Sequence, residues 1–193
     1  MQIKKFSDYE TTQSYKDYGQ LPKDGYVIKI LCAEVCESSF GQYLKLNCDI
    51  AEGEYSGFYA NEYKNQQSEN KKWHCNYLLN IPNDDGSERD GWTKRKFKTV
   101  IEAIEDSNSG YHFDWDEQKF KGKVVGGLFN EREYEDSTGN VRRVTNLAKI
   151  CNAEKIRSKK FTLPNDTLIK RSAKNDFDKF MQIPDSDLPF DFD

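Results

Sequence analysis

The 193 residues are 36% hydrophobic and 32% charged, so part of the chain should lie outside a packed core. No run of about eighteen apolar residues marks a membrane span, and Met1-Gln-Ile-Lys-Lys-Phe6 lacks the apolar stretch of a secretory signal, which makes the cytoplasm the expected compartment. The net charge of −4 averages two opposed regions: residues 175–193 carry six aspartates against one lysine, whereas 141–174 carry ten Lys/Arg against Glu154 and Asp166.

Residues 1–23 are polar with scattered tyrosines and read as an N-terminal arm. Residues 25–35, rich in Val, Ile and Leu, predict a central strand. Ser38-Ser-Phe-Gly41 signals a turn. Residues 42–50 then alternate, with Leu44, Leu46, Cys48 and Ile50 on one face and Tyr43, Lys45, Asn47 and Asp49 on the other, the pattern of a half-buried strand closing a hairpin. Residues 55–63 read as a third strand, Tyr55, Gly57, Tyr59 and Tyr63 on one face and Phe58 and Ala60 on the other. Residues 65–72 form a polar loop, and 73–81 fit either an additional strand or an irregular packed insertion. At 93–106 the period changes. Phe97, Val100, Ile101 and Ile104 fall at i, i+3, i+4 and i+7, which predicts an amphipathic helix ended by Asn108-Ser-Gly110. Residues 123–134 read as a fourth strand, with Gly126-Gly127 marking a bulge or bend. A turn at 136–140 leads to a fifth strand over 141–151.

The fold class expected is therefore mainly β: a five-stranded OB-fold barrel over 24–156, with one helix between strands three and four. A polar linker over 157–184 and an acidic tip over 185–193 have no composition for a core and predict a disordered tail.

Cysteines 32, 36, 48, 75 and 151 fit free thiols. Four residues apart on a strand, Cys32 and Cys36 are too distant to share a metal, and His74 and His112 complete no ligand pattern, so neither metal nor cofactor is expected. There is no phosphate loop, and His112-Phe-Asp114 and Asp116-Glu117 are the nearest approach to a carboxylate–histidine set. These features predict a binding protein and not an enzyme. Two alternatives stand beside it: a Mg²⁺-dependent nuclease with scattered carboxylate ligands, and an adaptor whose barrel grips a polypeptide.

Single strands are held by cations that track the backbone and by aromatic rings on which bases stack. With the apolar positions of 42–50 inward, Tyr43 and Lys45 face out; Tyr59 and Tyr63 are expected outward on the third strand, and Phe40 at the tip of the first hairpin. Arg132, Tyr134, Arg142 and Arg143 flank the last hairpin turn, the loop with which OB-folds capture ligands. Trp73 and Lys149 complete the DNA-binding set.

The sequence ends on Asp185-Ser-Asp187-Leu188-Pro189-Phe190-Asp-Phe192-Asp. Asp187-Leu-Pro-Phe190 resembles the C-terminal tip of bacterial single-stranded-DNA-binding proteins, which recruits replication, repair and recombination enzymes. Gly25-Tyr-Val-Ile, Phe40-Gly-Gln-Tyr-Leu-Lys-Leu and Phe120-Lys-Gly-Lys-Val-Val resemble phage-encoded proteins of the same kind, over about residues 20–155. The resemblance implies non-specific single-stranded-DNA binding in replication or recombination within a bacterial host cell. It also implies partner recruitment through Asp185, Asp187, Leu188, Pro189 and Phe190 or Phe192. In that family the final Phe usually ends the chain, whereas here three residues follow Phe190. Either Asp191 replaces the terminal carboxylate, or Phe192 inserts in a shifted register, or the tip acts only as an acidic competitor.

Overall fold

The structure, a computed structural model, describes residue 4 and residues 7–10, 19–39 and 41–169. Five strands form one antiparallel sheet: β1 (Gly25–Ser38), β2 (Gly41–Ile50), β3 (Asn76–Asn80), β4 (Val124–Glu135) and β5 (Val141–Cys151), in the spatial order β3-β2-β1-β4-β5. The helices are α1 (Phe58–Asn65), α2 (Glu88–Ser107) and α3 (Ala153–Arg157), with a 3₁₀ turn at Glu117–Phe120. Among the described residues no helix is long and apolar enough to cross a membrane.

β1 is shared: its first half pairs with β4 and most of its length with β2. Leu31 is an extra residue in the β1–β2 ladder, between Ile30 opposite Cys48 and Cys32 opposite Asn47. A bulge of this kind bends the strand and shifts its alternation. Ile28 and Ile30 before it and Ala33 after it are therefore all buried, while Cys32 and Glu34 point outward. The inner face of β2 is Leu44, Leu46, Cys48 and Ile50, all buried, and packs with Leu79, Val125, Phe129 and Ile150 against Val100, Ile101 and Ile104 of α2. A smaller cluster on the opposite face joins Val27 and Leu128 to Ala153, Ile156 and Phe161.

The expected third strand over 55–63 is a helix instead. Its aromatics alternate by accident: Phe58 and Tyr59 are consecutive and both buried, which a strand lining one core does not allow. Gly57 starts α1 in the left-handed region, φ +74, and offers no side-chain cap. Asp49 supplies one from β2. Its carboxylate accepts the backbone N–H of the next residue, Ile50, at 2.8 Å and those of Tyr59 at 2.9 Å and Ala60 at 3.2 Å, the last two being donors that a helix start leaves open. The third strand of the sheet comes from the 73–81 segment, as β3.

The sheet is not closed into a barrel. β3 and β5 are its two edges and no ladder joins them, although they approach each other, and α2 contacts β3, β4 and β5. β3 has only five residues, all of them paired with β2, and it meets β5 without forming a ladder. Helix α2 begins five residues before the expected 93, because Ser87 caps it by accepting the N–H of Asp90 at 3.1 Å.

The folded body also runs beyond 156 into the stretch expected to be linker. Thr167 donates its N–H to the Glu131 carbonyl at 2.8 Å and accepts that of Glu133 at 2.9 Å, forming a parallel bridge on β4. The arm is anchored where it enters the fold: Leu21 is buried, Lys23 pairs with Asp166 at 2.7 Å, and the Thr145 hydroxyl donates to the Leu21 carbonyl.

Candidate nucleic-acid interface

The outer face of β1, β2 and β3 is a three-strand platform whose rows are set by the ladders. Cys36, Tyr43 and Asn80 lie side by side, then Glu34, Lys45 and Leu78, then Cys32, Asn47 and Asn76. Tyr43 and Lys45 are half-exposed and Leu78 is 54% exposed. The neighbouring Cys36 thiol raises the Tyr43 phenol above its ordinary pKa, and a phenol is protonated across the neutral range in any case. The ring is thus neutral and half-open, beside a cation on the same strand.

A second group sits around α1. Trp73 is half-buried, donating its indole N–H to the Cys48 carbonyl at 2.9 Å, and its ring meets Tyr63 at 5.7 Å between centroids. Lys71 lies over the Tyr63 ring at 5.8 Å, and His74 pairs with Glu62 at 2.8 Å. Tyr63 is 38% exposed, but it stands on a helix and not on the strand expected for it. Tyr59 does not belong to any outer surface. It is 5% exposed, stacks on Phe129 at 6.4 Å, and burial raises its phenol far above the usual value. It is therefore no stacking platform, because the helical path of 58–65 turns it into the core.

The third group is the β4–β5 hairpin, which extends past the core. Tyr134 lies opposite Arg142, and Arg132 opposite Val144, so Arg132, Tyr134 and Arg142 share one exposed face. Arg143 is on the other face, held by Glu133 at 2.8 Å and Glu131 at 3.2 Å. It serves the hairpin more directly than a ligand. Asp136 organises the turn, accepting from the Thr138 hydroxyl, the Asn140 N–H and the Arg142 guanidinium, bonds that hold its carboxyl well below the usual range. Lys149, opposite Leu128 on β5, is exposed away from this turn.

Tyr43 and Lys45 are thus brought together, as are Tyr63 and Trp73, and Arg132, Tyr134 and Arg142. No ring contact or ion pair among the described residues joins one group to another. Phe40 and the tip residues Asp185, Asp187, Leu188, Pro189, Phe190 and Phe192 lie outside the described residues. Sequence reasoning misses Leu78, whose strand is ambiguous, and Lys71, which falls in a segment legible only as loop. No group of three or more His, Cys, Asp or Glu is placed to hold a metal among the described residues. All five cysteines are free thiols, Cys48 and Cys75 buried. No protein-family profile matches the chain, and no curated protein matches it in sequence.

Proposed function

We propose that this chain binds single-stranded DNA without strong sequence preference, in support of replication or recombination, and that it does so on an open OB-type sheet. The observation that carries the reading is topological. Strands β1, β2 and β3 follow in sequence and β4 returns by a long connection to lie beside β1, which is Greek-key order. The OB-fold is a five-stranded, partly open Greek-key barrel that holds oligonucleotides on strands two and three and on the loops between strands one and two and four and five. The Tyr43–Lys45 row and the Arg132–Tyr134–Arg142 hairpin occupy the corresponding places, and pair aromatic faces with cations as single-strand binding requires. The acidic tip is the proposed recruiter of replication, recombination or repair proteins, an acid-flanked apolar peptide suited to docking. On this reading the chain is not an enzyme.

Titration of intrinsic Trp/Tyr fluorescence with oligo-dT tests it. Quenching should saturate, weaken as salt rises with a log–log slope of about −0.7 per neutralised phosphate, and be stronger than with duplex at the same salt. Equal affinity for duplex, or none for either, would overturn the proposal.

A further inference from the structure

Away from the core, α2 carries a row of cations around an exposed indole. Trp92 is 64% exposed, and the Arg95 guanidinium lies over its ring, 4.5 Å from the centroid. Arg89 and Lys96 stand one turn to either side of Trp92 on the same face. Lys96 reaches over the ring of Tyr77 on β3 at 5.8 Å, which fixes this row against the sheet edge. Leu78, the next residue of that edge strand, faces outward beside Lys45.

Thr99, exposed, lies on nearly the same side of the helix as Trp92, since seven residues are close to two turns, and Ala103, a turn further on, is buried against the core. They wall a groove that also contains Lys149, Lys155, Lys159 and Lys160, with Phe161 as its aromatic surface. Glu102 and Asp106 are the carboxylates of this groove. None of its four lysines is ion-paired among the described residues. Lys159 has φ +54 just past the end of α3, a position where the backbone alone would favour glycine. The chain keeps a cation there regardless.

We infer that this strip is a second contact track for single-stranded DNA, continuing from the outer face of β2 and β3, around the β3 edge, along α2 and into the lysine groove. The inference rests on the proposed binding function. Cations spread along a 20-residue helix, about 30 Å long, fit a polymer of regularly spaced negative charges. An exposed indole among them adds a stacking surface for a base.

Full-length protein is compared with Trp92→Ala and with the triple variant Lys155→Glu/Lys159→Glu/Lys160→Glu, all at exposed or half-exposed positions whose folding is checked by thermal melting. Affinity is measured for oligo-dT of about eight and about thirty nucleotides, chosen to fall within and beyond the roughly 4–16 nucleotides held by one OB domain. Both variants should bind the short oligonucleotide as wild type does. On the long one, each should bind about tenfold more weakly, and the triple variant's salt slope should become shallower by about 0.7 for each phosphate it no longer neutralises. Wild-type behaviour of both variants on the long oligonucleotide overturns the track, as does an equal loss on both lengths, which would make α2 part of the primary site. Poly-glutamate binding abolished in the variants, with long oligo-dT binding intact, assigns the strip to an acidic protein and also overturns it. Failure of wild type on both lengths is different: it removes the binding function on which the track depends.

Discussion

Asp49 shows how one side chain decides a local fold. It lies on the outward parity of β2, yet it is 6% exposed because its carboxylate turns to receive the backbone N–H of Ile50 and two more at the start of α1. Burial raises its carboxyl above the ordinary value, and the bonds from Tyr59, Ile50 and Ala60 only partly oppose that. A folded-state value above the unfolded one means that the stability from this group is full below the unfolded value and falls as pH rises through the folded one. Asp49→Ala leaves buried donors unmet and should cost about 1–3 kcal/mol in urea unfolding. Asp49→Asn keeps an oxygen for Ile50 and Tyr59, so it should cost less, and should lack the decline with pH just above the ordinary carboxylate range. Equal losses in both variants would show that the capping role is misassigned. Gly126 is decided by space. A Cβ there would come within 2.9 Å of the Asn152 carbonyl oxygen and 2.8 Å of the Ile156 side chain. In sequence, Gly126-Gly127 suggests a bulge, but the β4–β5 irregularity falls at Leu128/Phe129, and the glycine at 126 admits α3 instead. Gly126→Ala should cost about 1–3 kcal/mol by overpacking, read as a lower midpoint of thermal or urea unfolding.

At the scale of elements, legibility depends on how fully each segment's periodicity determines its state. β2 and α2 are readable because their apolar residues repeat at 2 and 3.6 and meet a single core. α1 is not, because its cap comes from Asp49, in the preceding strand, and its aromatics mimic strand alternation. β3 is ambiguous because five residues give a short pattern and because an edge strand leaves Leu78 exposed. The same distinction separates two tyrosines that the sequence alone makes equivalent. Tyr43→Ala removes a half-exposed outer ring and should weaken oligo-dT binding by about 1–3 kcal/mol, with little effect on unfolding. Tyr59→Ala empties core volume between Phe58 and Phe129 and should cost about 3–5 kcal/mol of stability, by analogy with Phe→Ala, while the protein that remains folded binds DNA as wild type does. The opposite outcome, in which Tyr59→Ala selectively loses DNA and Tyr43→Ala does not, would move the interface to the other side of the sheet.

For the molecule as a whole, the strand–helix–strand order is legible but closure is not, since closure depends on whether two distant edges form a ladder, and here β3 and β5 approach each other without pairing. The body outruns the boundary that composition suggests for a related reason: residues 158–169 have no apolar period, yet Phe161 packs on the second cluster and Thr167 pairs with β4. The acidic tip is separable on composition. Residues 185–193 hold four aspartates and no cation, and offer no periodic apolar face to the core. Deleting them should leave the melting temperature unchanged and should not weaken oligo-dT binding. At low salt binding should tighten, because the negative charge that repels phosphate and competes for the cations of the sheet and hairpin is gone. Partner capture should respond in the opposite sense. In a pull-down from bacterial lysate, Phe190→Ala should abolish capture by removing the buried anchor, whereas Asp185→Asn should cause a smaller loss that disappears as salt is raised, as rim charges do. Loss with Phe192→Ala in place of Phe190→Ala would set the shifted register. A truncated protein that kept its partners and lost DNA affinity would join the tip to the binding surface and end the two-part reading of the chain.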